Sequence, residues 1–462
     1  MNASRKTSKF EILNDNDRSV AYNLERRRSS YIDNWARQSF SVRADLYSTI
    51  EKSLPDIPSD DRLSSNLITG MSMQSMILGT SLLSIPYCVK LAGVWGIILI
   101  ILIAFLTTIT ADMLAECQYQ ESRKKFKKRV HSSFVDMCTA CFKTKGKYLM
   151  EFLVYLSLVR NVVVIILLSD LTDEVLKTFP NVHYDKNILP VFWTLAVLPL
   201  LFVSKVSKLA WFTFIGMILY LSSIAFMFGI FLTTTRSWSH ISISSHWDFK
   251  DVGIAIGIII NSYAVHMNLP SLEGSMKTPT SYTRVTNVSF GLNVVIKLIF
   301  GICGYFAYSN NTFDEITRNI DNQKFFLLSY IIKGSQIVFA YFTIPLQSHV
   351  VFELMDLNFR HHFPIFSGKD QWWTLLSRLT IMTALLLIAL LMPHFGLAVS
   401  IIGSVRGSLI ALVLPPLFYI NLKTHSMSKI KVCFCYVTAC LGVLLGCVGL
   451  YSAIYDLVKH SG

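Results

Sequence analysis

A chain of 462 residues that is 52% apolar and only 15% charged carries too little charge to cover a soluble protein of this length. Its net charge of +13 would suit a nucleic-acid partner, but the basic residues fall mainly in loops between apolar blocks, as orientation signals do. The nine cysteines fall in predicted helices or cytosolic loops and include one lone CxxC, Cys138 and Cys141, which argues against a disulfide framework or a metal centre.

Residues 1–64 are polar, carry charges of both signs and read as a disordered cytosolic tail. The tail holds two short regulatory patterns. Arg26-Arg27-Arg28-Ser29-Ser30 fits a kinase site, and Tyr47-Ser48-Thr49-Ile50 fits a tyrosine-based sorting signal. The first apolar block begins only after residue 65, so there is no secretory signal peptide. Blocks such as Val94–Thr110, Phe152–Leu168, Leu209–Leu232 and Leu375–Met392 are near or above the ~18 residues that span a hydrocarbon core. The predicted transmembrane helices are 66–90, 93–117, 148–171, 188–203, 208–232, 251–275, 285–308, 325–348, 374–392, 397–420 and 432–456. Residues 65–456 thus form an all-α membrane domain of about eleven helices, and 457–462 a short lumenal or extracellular end. With the tail inside, the inside loops hold more than twice as many Lys and Arg as the outside loops, which supports that orientation. The acceptor sequence Asn310-Asn311-Thr312 falls in an outside loop, so Asn310 is the expected glycosylation site. The basic run Arg123–Arg129 is an orientation signal that also meets anionic lipid headgroups.

Two predicted spans, five apart, are interrupted. The first reads Gly79-Thr80-Ser81-Leu82-Leu83-Ser84-Ile85-Pro86-Tyr87, with glycine, hydroxyl residues and proline in its middle. Proline removes a backbone donor, and glycine accepts the torsions of unwinding. The sixth carries Asn261-Ser262-Tyr263 and then Asn268-Leu269-Pro270-Ser271-Leu272-Glu273-Gly274. Freed backbone groups cannot face lipid, so they must face protein or a watery cavity. Ordinary proline kinks are the plainer explanation for either span alone. Breaks at matching places in two halves point instead to an inverted-repeat transporter, with spans 1–5 and 6–10 as the repeats and an appended eleventh helix. Half-helix ends suit a zwitterion: N–H groups at a helix start favour a carboxylate, and free carbonyls favour an ammonium.

At these residues the chain resembles the amino acid/auxin permease family, and within it the vesicular inhibitory amino acid (GABA/glycine) transporters. Gly79–Tyr87, Ser262-Tyr263 with Leu269-Pro270-Ser271-Leu272-Glu273-Gly274, and Pro393-His394-Phe395 with Gly403-Ser404 and Pro415 carry the resemblance, which covers roughly residues 65–456. It implies a LeuT-like 5+5 fold and proton-driven transport of small amino acids. The substrate-binding residues would be Gly79, Thr80, Ser81, Ser262, Tyr263, His266 and Arg406. Ser75 and Ser81 stand where sodium-coupled relatives have asparagine and glycine, which weakens a sodium site. His266 and Arg406 stand near a glutamine and a threonine of the vesicular branch, which leaves the substrate open.

The cations Arg160, Lys297, Lys333 and Arg406 fall inside predicted spans. A cation at that depth should face the interior and have a partner. Arg406 is the candidate for a substrate carboxylate, against a structural bond to backbone. Arg160, Lys297 and Lys333 read as structural charges. His266, the side chain best placed to titrate near neutrality, and Glu273 are the proton-coupling candidates. No GxSxG, HExxH or P-loop pattern is present, so neither an enzyme nor an ATP-driven pump is expected. The expected function is vesicular uptake of a small amino acid in exchange for protons, by a monomer without cofactor or metal. A proton-coupled symporter of the plasma membrane or lysosome is the alternative within transporters. A channel or receptor is the alternative of another class, though neither would call for paired breaks.

Overall fold

The computed structural model describes residues 65–121, 127–179, 183–202, 206–235, 238, 241–245, 247–320, 324–359, 370–392, 394–423 and 427–461. The tail with its two patterns, Arg123–Lys125 and Pro393 lie outside them. Every block predicted as a span is helical. Helix α1 (Asn66–Leu78) starts beneath Ser65, whose side chain accepts from the Ile68 amide at 3.3 Å and satisfies one orphan donor of the first turn. It stops at Gly79, and after a 3₁₀ turn over Thr80–Ser84 the chain re-enters α2 (Ile85–Cys117).

α2 is not one straight rod. At Gly93 the backbone takes φ +54°, a conformation side chains other than glycine rarely hold. A Cβ on Gly96 would stand 2.7 Å from the Cys88 carbonyl oxygen. Eight residues of straight helix would separate those positions by about 12 Å. The chain therefore doubles back at Gly93, separating 85–92 from 94–117 as the predicted boundary between 66–90 and 93–117 requires. A second fold-back occurs at Lys143 (φ +52°), where Cys138 Sγ reaches the Gly146 carbonyl at 3.5 Å. Helix α3 (Phe134–Leu176) thus begins with a short separate segment, closed at its start by a capping box between Ser133 and Asp136. The prediction of 148–171 missed it because Asp136, Thr139 and its brevity disqualify it as a span.

Between α2 and α3, β1 (Tyr119–Glu121) pairs antiparallel with β2 (Lys127–Arg129), placing Tyr119 opposite Arg129. This short hairpin sits between helices of a membrane domain that is otherwise all-helical among the described residues. The remaining helices are α4 (Ile188–Val197), α5 (Val206–Thr233), α6 (Phe249–Tyr263), α7 (Leu269–Ser275), α8 (Tyr282–Tyr308), α9 (Phe326–Phe359), α10 (Asp370–Leu391), α11 (Phe395–Ile402), α12 (Leu414–Lys423) and α13 (Lys429–Ser461). Between α11 and α12 the chain runs through two π-helical turns, Gly403–Gly407 and Leu409–Val413, where a regular helix over 397–420 was expected. Such wide turns shift side-chain register and recur at functional sites. Helix α13 continues to Ser461, beyond the predicted 456.

Nine helices among the described residues are long and apolar enough to cross a membrane. That number takes Thr80–Cys117 as one and omits the shorter apolar helix Ile188–Phe202. Within its most apolar stretch, Phe249–Ser275 is 89% buried, against 22% for Trp372–Leu391. The interrupted sixth segment is thus central, and α10 is peripheral. α6 packs on α2, α11 and α13. Small residues allow this close approach, since a Cβ on Gly403 would collide with the Gly257 carbonyl. Large apolar side chains such as Leu391 and Phe105 point outward, as lipid contact requires.

Candidate functional site

The two interruptions meet. At Gly79 the backbone adopts φ +38°, ψ −175°, which ends α1 and turns the next carbonyl out of the helical ladder. The Gly79 carbonyl accepts from the Tyr220 hydroxyl of α5, and the Tyr220 ring stacks on Phe339 of α9 with centroids 4.5 Å apart. Ser81 follows in the 3₁₀ turn, and its Oγ accepts from Asn261 Nδ2 at 2.7 Å. Asn261 is in the last turn of α6, so this bond ties one break directly to the other. Thr80 is half-buried beside it.

α6 ends where Ala264 leaves helical torsions (φ −79°, ψ 56°), and a 3₁₀ turn over His266–Asn268 leads into α7. Pro270 near the start of α7 suits the first turn, where its missing donor is not needed. The carbonyl end of α6 is held by a cation. Lys297 Nζ of α8 donates to the Ser262 carbonyl at 2.8 Å and to Ser262 Oγ at 3.0 Å. The same ammonium lies 3.4 Å from the centre of the Tyr263 ring. A positive charge here complements the negative end of the α6 dipole. The Tyr263 hydroxyl is buried and has no hydrogen-bond partner, which leaves a donor available at the junction.

His266 is adjacent to the break, but its ring turns towards α2. Nε2 is 3.0 Å from the Thr107 carbonyl and 3.0 Å from Thr110 Oγ1. A carbonyl only accepts, so Nε2 carries the proton, and Nδ1 is buried without a partner. Glu273 in α7 is held by the β-hairpin. Arg129 Nε stands 3.1 Å from Oε2, and the Tyr119 hydroxyl donates to Oε1. Arg129 also donates to the Pro270 carbonyl at 2.6 Å and to Gln118 Oε1 at 2.9 Å. The β-hairpin therefore clasps the α7 half of the sixth segment. Arg406, in the first π turn, directs Nε to Ser157 Oγ of α3 at 3.1 Å. Arg160 is half-buried one turn further along α3. Lys333 of α9 is buried in the charge field of Glu174 and Glu315. Asn310 is exposed in a 3₁₀ turn after α8. Among the described residues no cluster of His, Cys, Asp or Glu could hold a metal ion.

The structure thus brings Gly79, Thr80, Ser81, Ser262 and Tyr263 to one junction, and adds Lys297, which the sequence assigned a structural role. The His266 side chain faces α2, and that of Arg406 faces α3. Sequence reasoning missed Tyr220, one of many apolar-span tyrosines, and the partner role of Asn261. It read Arg129 as an orientation charge and a lipid-headgroup contact. The hairpin pairing that places Arg129 at Glu273 has no linear signature beyond the two residues' opposite charge.

A family model described as transmembrane amino acid transporter protein matches residues 62–455. The vesicular inhibitory amino acid transporter of Xenopus laevis is 24% identical over 402 residues, covering 84% of this chain and 76% of that protein. The Homo sapiens protein of the same name is 24% identical, covering 84% and 75%. Amino acid transporter AVT1E of Arabidopsis thaliana is 25% identical over 436 residues, covering 90% and 79%. With a match that runs from the start of the first helix almost to the end of the last, this chain belongs to the transmembrane amino acid transporter family.

Proposed function

We propose that the chain is a proton-coupled secondary transporter that loads a small amino acid of the GABA or glycine type into an acidic vesicle in exchange for protons. The observation that carries this reading is the bond from Asn261 to Ser81, which ties the turn of the first break to the last turn of α6 beside the second. A zwitterion fits there. The start of the helical run at Thr80 and Ser81 suits the carboxylate, and the carbonyl end of α6 with the Tyr263 ring suits the ammonium. On this reading the architecture is a LeuT-like 5+5 repeat with eleven crossings, the tail in the cytosol and Asn310 in the lumen. Splitting Thr80–Cys117 at Gly93 and adding the shorter Ile188–Phe202 then bring the nine long helices to eleven. The vesicular assignment draws on the names of the animal relatives.

Proton coupling needs a group whose charge changes with the transport state. Protonating His266 would put a second N–H on Nδ1, which has no acceptor in this conformation. His266 is thus a coupling site only if the sixth segment moves away from α2 and exposes Nδ1. Glu273 releases its ion pair with Arg129 in the same movement, which opens the inner side. Arg406 sets substrate preference by fixing α3 against the π turn. The test is uptake of a radiolabelled amino acid panel by purified protein in liposomes, under pH gradients of either sign. Saturable accumulation driven by an acidic interior is expected. Uptake indifferent to the gradient, or flux that never saturates, overturns the proposal.

A further inference from the structure

The loop after α8 is buried rather than spread over the surface. Thr312, Glu315, Ile316 and Thr317 are all 0% exposed, which is unusual for a connection. It is tied to several elements at the outer end of the bundle. Ser84, at the end of the first break, donates Oγ to the Asp314 carbonyl at 2.7 Å. The Gly396 amide of α11 donates to Asp314 Oδ2 at 2.9 Å. Lys90 Nζ donates to the Thr312 carbonyl at 2.9 Å. The loop thus packs on the end of the first break, on the side bearing Asn310.

Inside this closure is a carboxylate without adequate partners. Glu315 Oε1 accepts from Thr317 Oγ1, and Oε2 is buried with no hydrogen bond. Its charged surroundings come from three elements. α3 supplies Asp170 and Glu174, the loop itself supplies Asp314 and Arg318, and α9 supplies Lys333. Arg318 is committed to Asp314 Oδ1 at 3.2 Å, and Asp170 is held by Lys186 at 2.8 Å. An ionised, fully buried carboxylate among three acids is costly, whereas a protonated one supplies an O–H and removes the repulsion.

We propose that Glu315 is a proton-binding site of the outer gate, occupied when the 312–320 loop is closed and emptied when the loop opens to the lumen. The inference deepens the proposed function and rests on it for the lumenal placement of the loop. Burial, with Asp170, Asp314 and Glu174 nearby, holds the closed-state carboxyl well above the usual carboxylate range, while Arg318 acts the other way. The sign follows from linkage. The closed form binds the extra proton, so closure is favoured at low pH and weakens as pH rises past the ordinary carboxylate value of the open form. A lumenal proton would therefore shut the gate behind a delivered substrate and return the transporter to its cytosolic-facing state.

The test is hydrogen–deuterium exchange of the purified full-length protein in lipid nanodiscs, at about pH 5.5 and about pH 7.5, corrected for intrinsic exchange rates. One proton permits at most a roughly hundredfold change in closure over about two pH units. Protection of the 312–320 peptide should rise roughly tenfold or more on acidification, and Glu315→Gln should show high protection at both values. No pH response in the native protein overturns the site, as does a full response retained in Glu315→Gln. Should Glu315→Gln fail to fold, Glu315→Asp serves: a shifted midpoint supports the site, and an unchanged one refutes it. A normal loop response combined with gradient-independent uptake would sink the transport proposal and spare this site. Proton-driven uptake without any loop response would do the reverse.

Discussion

Replacing Lys297 by methionine keeps the side-chain stem and removes the ammonium that holds the end of α6. Two bonds disappear, to the Ser262 carbonyl at 2.8 Å and to Ser262 Oγ at 3.0 Å, together with the contact 3.4 Å above the Tyr263 ring. A hydrogen bond to a charged group contributes about 1.5–3 kcal/mol. A desolvated cation–π contact adds about 2 kcal/mol. Against this, burying an ammonium costs several kcal/mol, which Lys297→Met recovers. The Ser262 carbonyl, left unsatisfied, then costs about 1–3 kcal/mol. The net loss should be about 2 kcal/mol in favour of a frayed junction, roughly a thirtyfold shift in that local equilibrium. Saturation uptake in liposomes should show an apparent affinity weakened by up to roughly thirtyfold. Protein abundance and thermal stability in detergent should change far less, because most helix contacts are untouched. Uptake with native affinity in a correctly inserted Lys297→Met would refute the idea that the carbonyl end of α6 forms part of the site.

Three further outcomes follow from separate features. Gly403→Val should drive α11 from α6, because even a Cβ at Gly403 collides with the Gly257 carbonyl; a loss of about 3 kcal/mol, read as a markedly lower melting temperature in detergent, is expected. Arg129→Gln removes the ion pair with Glu273 and the bond to the Pro270 carbonyl, so thiol-labelling of a cysteine introduced at Ser271 from the cytosolic side should accelerate several-fold. Asn310→Gln should abolish a glycan-dependent gel shift in eukaryotic cells, since Asn310 is exposed and its loop is assigned to the lumen.

The helical blocks and both breaks were legible because each rests on local chemistry. Length and apolarity mark a span, and Gly79 with Pro86, or Asn268 with Pro270, marks an interruption wherever the chain lies. Depth within a span was also readable, so Lys297 could be placed in the membrane. Its partner could not, because Ser262 is 35 residues away on another helix. Glu315 gave no signal, since a glutamate in an outside loop is ordinary until burial removes its water. The π turns around Arg406 were hidden for a different reason: they lie where Ser404 and Ser408 meet Gly446 and Gly449 of α13, a contact with no local signature. His266 shows the limit of reading a titratable residue from type alone. Its neighbours Thr107 and Thr110 fix which nitrogen carries the proton.

The most direct test is an electron cryo-microscopy map of the protein with a transported amino acid bound. The ligand should lie between Gly79–Ser81 and Ser262–Tyr263, with its charged ends on the two unwound backbones. Density for the amino acid elsewhere, or helices that run unbroken through Gly79 and Ala264, would contradict the account.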